Sequence, residues 1–222
     1  MRDRYSLIVG LIFLVLVAVA TLNTLGGDGD GGILGLDRRE ARWPLPEFAV
    51  PVAVGQLEGD ADANIAQDDC ESSRVPCPDG DRRLPACRIE VPGAIRVCDL
   101  FERPLVLSFW FSKGEEGDCI EQQDVVSEVA ADYRGRVGFL SLNVRNDRGT
   151  VRDLVRERGW RMQVGYDRDG AVASLFGVGL CPTFAYVYPG GTLQDASIGR
   201  LAPGQLSARV ERLLAATREA EG

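Results

Sequence analysis

Residues 166–191 read YDRDGAVASLFGVGLCPTFAYVYPGG, and the fold is decided there. Ala171 to Phe176 has the length of a single short helix, and Pro182 ends whatever precedes it. Thr183 to Tyr188 (TFAYVY) is rich in the aromatic and β-branched residues that suit a pleated strand. Pro189-Gly190-Gly191 then supplies a tight turn, and Thr192 to Ile198 completes a hairpin. A hairpin commits this end of the chain to an antiparallel pair.

Upstream lie two apolar runs of the kind that fill the middle of a sheet, Leu105 to Phe111 (LVLSFWF) and Val137 to Val144 (VGFLSLNV). Between them Val126, Val129, Ala130 and Tyr133 recur on one helical face, and Asp118 with Glu121 forms a capping-box signature at its start. Thr150 with Asp153 repeats that signature before Val151, Leu154 and Val155, predicting a second helix that ends at Gly159. Leu206, Val210, Leu213 and Leu214 stripe a closing helix. The order βαβα, hairpin, helix predicts an α/β domain with a mixed central sheet flanked by helices on both faces. Residues 56–98 fit no part of this count and read as a Cys-stapled insertion ahead of the first central strand.

The chain has 222 residues with a formal net charge of −8, 45% hydrophobic and 26% charged residues. That is the composition of a folded domain of ordinary size with extras, and it excludes a wholly disordered chain. There is no His, which removes His-based metal sites and Ser-His or Cys-His catalytic pairs. The acidic balance argues against a nucleic-acid partner. Lys113 is the only Lys.

No charge interrupts Tyr5 to Leu25, and at about 1.5 Å per residue this stretch makes a helix of roughly 31 Å, close to a bilayer core. Arg2 and Arg4 before it, with Asp28 and Asp30 after, leave residues 1–4 in the cytoplasm and the rest outside. Residues 5–25 read either as a single-pass transmembrane anchor or as a cleaved signal, with Ala18-Val19-Ala20 as the cleavage site. Both readings export the domain. Residues 26–42 form a Gly/Asp-rich linker, and residues 43–222 the domain itself.

Six cysteines in an exported chain point to disulfides. Cys70 and Cys77 share a Pro/Asp/Ser-rich loop, and Cys87 and Cys98 flank IEVPGAIRV, which reads as two short strands turning at Pro92-Gly93. Local pairs 70–77 and 87–98 are the economical assignment and leave Cys119 with Cys181. The spacing matches none of the usual zinc arrangements, so no metal or other cofactor is expected.

Together, LVLSFWF, the helix opening at Cys119, GFLSLNVRNDRGTVRDLVRERGW and the 166–191 stretch resemble the TlpA/ResA-like (redoxin) branch of the thioredoxin superfamily. The resemblance implies a thioredoxin-like fold with Pro182, followed by Thr183, as its cis-proline loop. It also implies a thiol-disulfide redox role and, as partner, an envelope protein serving as substrate or redox donor. The branch carries W-x-x-x-C-x-x-C at its first helix. Here the text from Trp110 is WFSKGEEGDC: Glu116 stands three residues before Cys119, and two extra residues separate Trp110 from Cys119.

Three chemistries follow from these residues. Cys119 and Cys181 can form a relocated redox pair, with a purely structural disulfide as the alternative. Cys119 alone can be a peroxidatic thiolate, since its spacing from Phe111 resembles the peroxiredoxin loop, with Ser112 and Glu116 where that loop has Pro and Thr. The acidic Glu115, Glu116, Asp118 and Glu121 oppose a strongly depressed thiol pKa. Or the domain is a redox-inactive binding scaffold of the cell envelope. Trp110 and Phe111 are then contact candidates, each also readable as core, and Arg145, Asn146 and Asp147 are a candidate site at a strand end, also readable as a solvated turn.

Overall fold

The two apolar runs become the middle of a sheet because every position of β4 (Leu105–Trp110) is buried and β5 (Gly138–Val144) is buried from Phe139 onward. The computed structural model describes residues 42–55, 66–67, 86–88, 90, 92–112 and 118–221. After β4 come α1 (Asp118–Asp132), β5, α2 (Arg148–Arg158), β6 (Gln163–Asp167), α3 (Ala171–Leu175), β7 (Thr183–Tyr188), β8 (Thr192–Ile198) and α4 (Pro203–Glu221). The central sheet has the order β6-β5-β4-β7-β8. β4, β5 and β6 are parallel, and the β7–β8 hairpin runs antiparallel to β4. The mixed sheet expected from the element order is present.

Its two faces are covered differently from the expectation of helices on both. Val106, Phe139, Phe184 and Tyr186 pack under α1 and α4, with Val126, Val129, Leu206, Val210 and Leu213. Trp110, Val164 and Tyr166 continue that layer toward Val151 and Val155 of α2. The opposite face is closed by a small antiparallel sheet, β1 (Phe48–Pro51) between β2 (Ala66–Gln67) and β3 (Ala94–Arg96), together with the short α3. Phe48, Val50, Ile95 and Val97 pack there with Leu107, Phe109, Leu142 and Phe176. Residues 94–98, counted with the insertion in the sequence reading, thus supply core through Ile95 and Val97. The hairpin expected within IEVPGAIRV is absent among the described residues: Glu90 is not in a strand, residues 86–88 form a 3-10 turn, and β3 pairs with β1. The turn expected at Pro92-Gly93 is present, with Gly93 at φ 83°, but burial of Ile95 and Val97 against the main sheet pairs the strand that leaves it with β1.

β1 reaches the sheet edge because Gly165 leaves room. A Cβ there would lie 2.7 Å from Val50 Cγ2. The Ala53 amide donates to the Val164 carbonyl at 2.8 Å, fixing the crossing. The entry to the domain is zipped to the hairpin, where Leu193 N donates to the Trp43 carbonyl (2.8 Å) and Leu45 N to the Gly191 carbonyl (2.9 Å).

The helix starts differ from their sequence signatures. α2 begins at Arg148, and Asp147, rather than Thr150, caps it: Asp147 accepts from Thr150 N (2.9 Å) and Thr150 Oγ1 (2.7 Å). Thr150 sits at N3, so it donates where the sequence pattern had it accept. Glu121 does not fold back to close a capping box and pairs with Arg200 at 2.9 Å. Gly159 ends α2 in the left-handed region at φ 65°, as expected. Among the described residues no helix is long and apolar enough to cross a membrane. The proposed span 5–25 and residues 26–41 of the linker lie outside the described residues.

Two predictions follow from these turns and caps. Gly190 and Gly191 both have positive φ (83° and 82°), but only at Gly191 would a Cβ strike a neighbour, the Phe101 ring at 2.5 Å. Urea melts should show Gly190→Ala costing about 1 kcal/mol for backbone strain, and Gly191→Ala costing roughly 1–3 kcal/mol more for the overpacked ring. The bonds from Thr150 hold the Asp147 carboxyl below the ordinary aspartate range. A folded-state pKa below the unfolded one gives stability that is complete above the unfolded value and is lost as pH falls through the folded value. Asp147→Ala should therefore cost about 1 kcal/mol at pH 7, and the gap to the parent should shrink as pH drops below about 4.

Candidate functional site

The antiparallel pairing of β4 with β7 places Phe109 opposite Thr183, so the chain leaving β4 and the chain entering β7 meet at one edge. Cys119 and Cys181 meet there. They are joined by a disulfide with Cα atoms 5.9 Å apart and a separation of 62 positions in sequence. Cys119 is the second residue of α1 and only 5% exposed, whereas Cys181 is half-buried. The Phe111 amide donates to Cys181 Sγ at 3.4 Å. The Cys181–Pro182 peptide is cis, and Thr183 Oγ1 donates to the Leu180 carbonyl at 2.7 Å. Residues 113–117, including Lys113, Glu115 and Glu116, lie outside the described residues, as do Cys70 and Cys77. Cys87 and Cys98 are also bonded to each other, and the Cys87 amide donates to the Glu47 carboxylate at 3.3 Å. Among the described residues no cysteine is free.

The first turns of α1 are held from four directions by four consecutive side chains. Glu121 pairs with Arg200. Gln122 exchanges two hydrogen bonds with the Leu201 backbone, accepting from its N–H (2.8 Å) and donating to its carbonyl (3.1 Å). Gln123 turns inward, and Asp124 accepts from Trp160 Nε1 (2.7 Å) and from Arg158 (2.9 Å). The exposed Arg200 and Arg158 pairs add little energy, but the geometry fixes where Cys119 stands.

Gln123 is the centre of a buried polar chain beneath the disulfide. Trp110 Nε1 donates to Ser141 Oγ (2.8 Å), the Ser141 hydroxyl donates to Gln123 Oε1 (2.8 Å), and Gln123 Nε2 donates to Ser108 Oγ (2.9 Å). All four residues are buried. Trp110 is therefore a core anchor, and its reading as an exposed contact residue is corrected: its indole packs edge-on against Trp160 at 5.3 Å. Phe111 remains half-buried beside the disulfide. Asn143, in register with Trp110, is fully buried, and its amide has no partner among the described residues.

The strand-end trio 145–147 is more than a solvated turn. Asn146 is buried and accepts from the Ser112 amide at 3.1 Å, tying down the chain that leaves β4. Asp147 caps α2. Arg145 is exposed with φ 66°. It borders a cavity of about 450 Å³ whose other walls include Phe111, Val144, Gly170, Ala173 and Val178.

The sequence reading missed Ser108, Ser141 and Gln123. A signal existed, since each Ser interrupts an otherwise apolar run, and the two sit opposite each other in the β4–β5 register. Chemically, the site is a disulfide between a helix start and a proline loop, backed by neutral hydrogen-bonding groups. Among the described residues the one buried carboxyl is Asp167, which accepts from the amides of Val172 (3.3 Å) and Ala173 (2.7 Å) and so holds α3.

This arrangement is that of a thioredoxin-like fold, and the solved structures agree. The chain resembles a DsbF homologue of Corynebacterium diphtheriae at 13% identity and TM-score 0.57, covering 83% of this chain and 96% of that one. It also resembles a thiol:disulfide interchange protein of the thioredoxin family from Chlorobium tepidum at 12% identity and TM-score 0.55, covering 79% of this chain and 99% of that one. At these identities the likeness is one of fold. No family model and no curated protein matches the chain.

Gln123→Leu would leave two serine hydroxyls and the α1 docking unsatisfied. It should lower stability by about 1–3 kcal/mol, measured by urea unfolding of the oxidised protein.

Proposed function

We propose that the chain is a membrane-tethered, extracytoplasmic thiol-disulfide exchange protein whose working pair is Cys119 and Cys181. The supporting observation is the disulfide itself, which joins a helix N-terminus to the residue before a cis proline, with one sulfur more open than the other. A partner thiolate attacks Cys181 Sγ, the more accessible sulfur, and the Cys119–Cys181 bond breaks. Cys119 leaves as a thiolate at the start of α1, where the helix dipole contributes about 0.3–1 kcal/mol in its favour, and then takes up a proton. A second thiol of the partner attacks the partner's own sulfur in the mixed disulfide and releases Cys181. The partner ends as a disulfide, having lost two electrons and two protons, and the pair ends as two thiols. Run backward, the same steps reduce a partner disulfide.

A second reading is favoured by the 5% exposure of Cys119: a redox-inactive binding scaffold in which the bond is a staple. The peroxidase reading has less support, because Cys119 is both bonded and nearly covered. Export rests on residues 1–25 and the tether that follows. Retention of the full chain in membranes after a carbonate wash is the expected result for an uncleaved anchor.

Exchange work predicts a reduction potential above about −250 mV and reduction by glutathione or a thioredoxin, whereas a potential below roughly −300 mV marks a staple. Cys119→Ser should trap a mixed disulfide on Cys181, Cys181→Ser should trap none, and peroxide consumption should be negligible in the parent and both variants.

A further inference from the structure

Arg145 is the one non-glycine residue besides Arg42 that the described chain holds at positive φ. It stands directly after β5, the strand paired with the one that leads to the disulfide. A left-handed arginine is disfavoured by its own Cβ, and such residues persist where the surroundings impose them. Here the Arg145 amide donates to the Asp167 carbonyl at 2.8 Å, which fixes the turn. The side chain then lies over Gly170, where a Cβ would come within 3.0 Å of Arg145 Nε. The missing side chain at Gly170 makes the space this guanidinium occupies. Among the described residues no carboxylate and no carbonyl accepts from it, although the chain is rich in acidic groups.

Arg145 borders the cavity of about 450 Å³, whose lining includes the apolar Phe111, Val144, Ala173 and Val178 together with Ser174. Phe111 joins this cavity to the chemistry, because it is one of the lining residues and its amide donates to Cys181 Sγ. Of the three large apolar side chains that are exposed among the described residues, two flank the same loop: Leu180 (48%), next to Cys181, and Ile198 (41%), opposite Thr183 in the β7–β8 register. A cation with no partner among the described residues, a pocket lined in part by Phe111, Val144 and Val178, and an apolar rim lie around the more exposed of the two cysteines.

We infer that this cavity is a specificity subsite for an acidic, cysteine-bearing polypeptide, with Arg145 pairing a Glu or Asp carboxylate near the partner's cysteine while an apolar neighbour fills the pocket. The inference rests on the exchange reading. The covalent step is unchanged: the partner cysteine thiolate attacks Cys181 Sγ, Cys119 is displaced as a thiolate and protonated, and a second partner thiol completes the two-electron transfer. Arg145 touches no reacting atom and acts as a positioning residue for the incoming chain.

The test uses the oxidised full chain in detergent. Reduction is followed by stopped flow with dithiothreitol and with two dithiol peptides that differ only in Glu or Gln two residues from the first Cys, each with Leu beside it. The Glu peptide should react about fivefold faster than the Gln peptide at low ionic strength, as a partly exposed ion pair allows, and the ratio should fall toward one in 1 M salt. Arg145→Gln should bring the ratio to one and Arg145→Glu below one, with the dithiothreitol rate within twofold of the parent. Arg145→Gly separates recognition from folding: glycine suits the left-handed turn, so this variant should melt no lower than the parent and still lose the preference. A ratio near one in the parent, or one that survives in Arg145→Gln and Arg145→Gly, overturns the subsite while leaving exchange intact. A bond that dithiothreitol does not reduce in the native protein overturns the exchange reading, and this inference with it.

Discussion

The antiparallel pairing of β4 with β7 is the constraint on which the rest of this molecule depends. Cys119 and Cys181 are 62 residues apart in sequence, and nothing local brings them together. What does is a register in which Phe109 faces Thr183, so that one strand ends where the other begins. Every strand on that path is buried, which makes a slip costly: moving β7 by one residue would turn Phe184 and Tyr186 away from the α1 and α4 layer toward the opposite face. The site is a consequence of sheet register, and the disulfide records it covalently.

Residues 166–191 were readable because their signals are local and agree with one another: a short helix, a proline, an aromatic strand, a Pro-Gly-Gly turn. The helix N-termini were less readable, because a capping signature admits more than one partner. Asp147 and Thr150 both qualify as caps, and it is Asp147 that has the extended backbone from which a carboxylate reaches the Thr150 amide. Glu121 fits a capping box in sequence, yet a distant Arg200 reaches it first. The segment before β4 was misjudged for a related reason. β3 is too short to show periodicity, and its partner β1 lies more than 40 residues upstream, so its role as a lid on Leu107, Phe109 and Leu142 is visible only in three dimensions. At the site, the cysteines and Pro182 stood out by residue type, while Ser108, Ser141 and Gln123 did not, since neutral polar residues matter here only through their mutual distances.

Those neutral groups shape what the pair can do. With no His in the chain, and with Asp167 committed to the α3 amides, the chain Trp110–Ser141–Gln123–Ser108 offers hydrogen bonds without offering a proton acceptor in the ordinary pH range. Gln123 satisfies both serines at once and pins α1 to the sheet, so the chain stabilises the position of Cys119 without introducing a buried charge near it. The helix start at Cys119 and the Phe111 amide at Cys181 are fixed partial charges that favour a thiolate, and the acidic residues around Cys119 oppose it.

The same clamp decides how stability and reduction are coupled. A bond closing a loop of 62 residues stabilises the fold by roughly 4 kcal/mol through the unfolded chain. If the reduced protein kept none of that organisation, the whole amount would appear as resistance to reduction, close to 90 mV for a two-electron couple. Glu121, Gln122, Gln123 and Asp124 argue against that limit, because all four hold α1 in place through contacts that do not involve sulfur. The cis-proline loop is likewise anchored by Thr183 and by the Gly199 amide, which donates to the Pro182 carbonyl at 2.9 Å. Both sides are thus held by contacts that do not involve sulfur, which is what the proposed exchange requires: a bond that opens and closes without the domain unfolding around it.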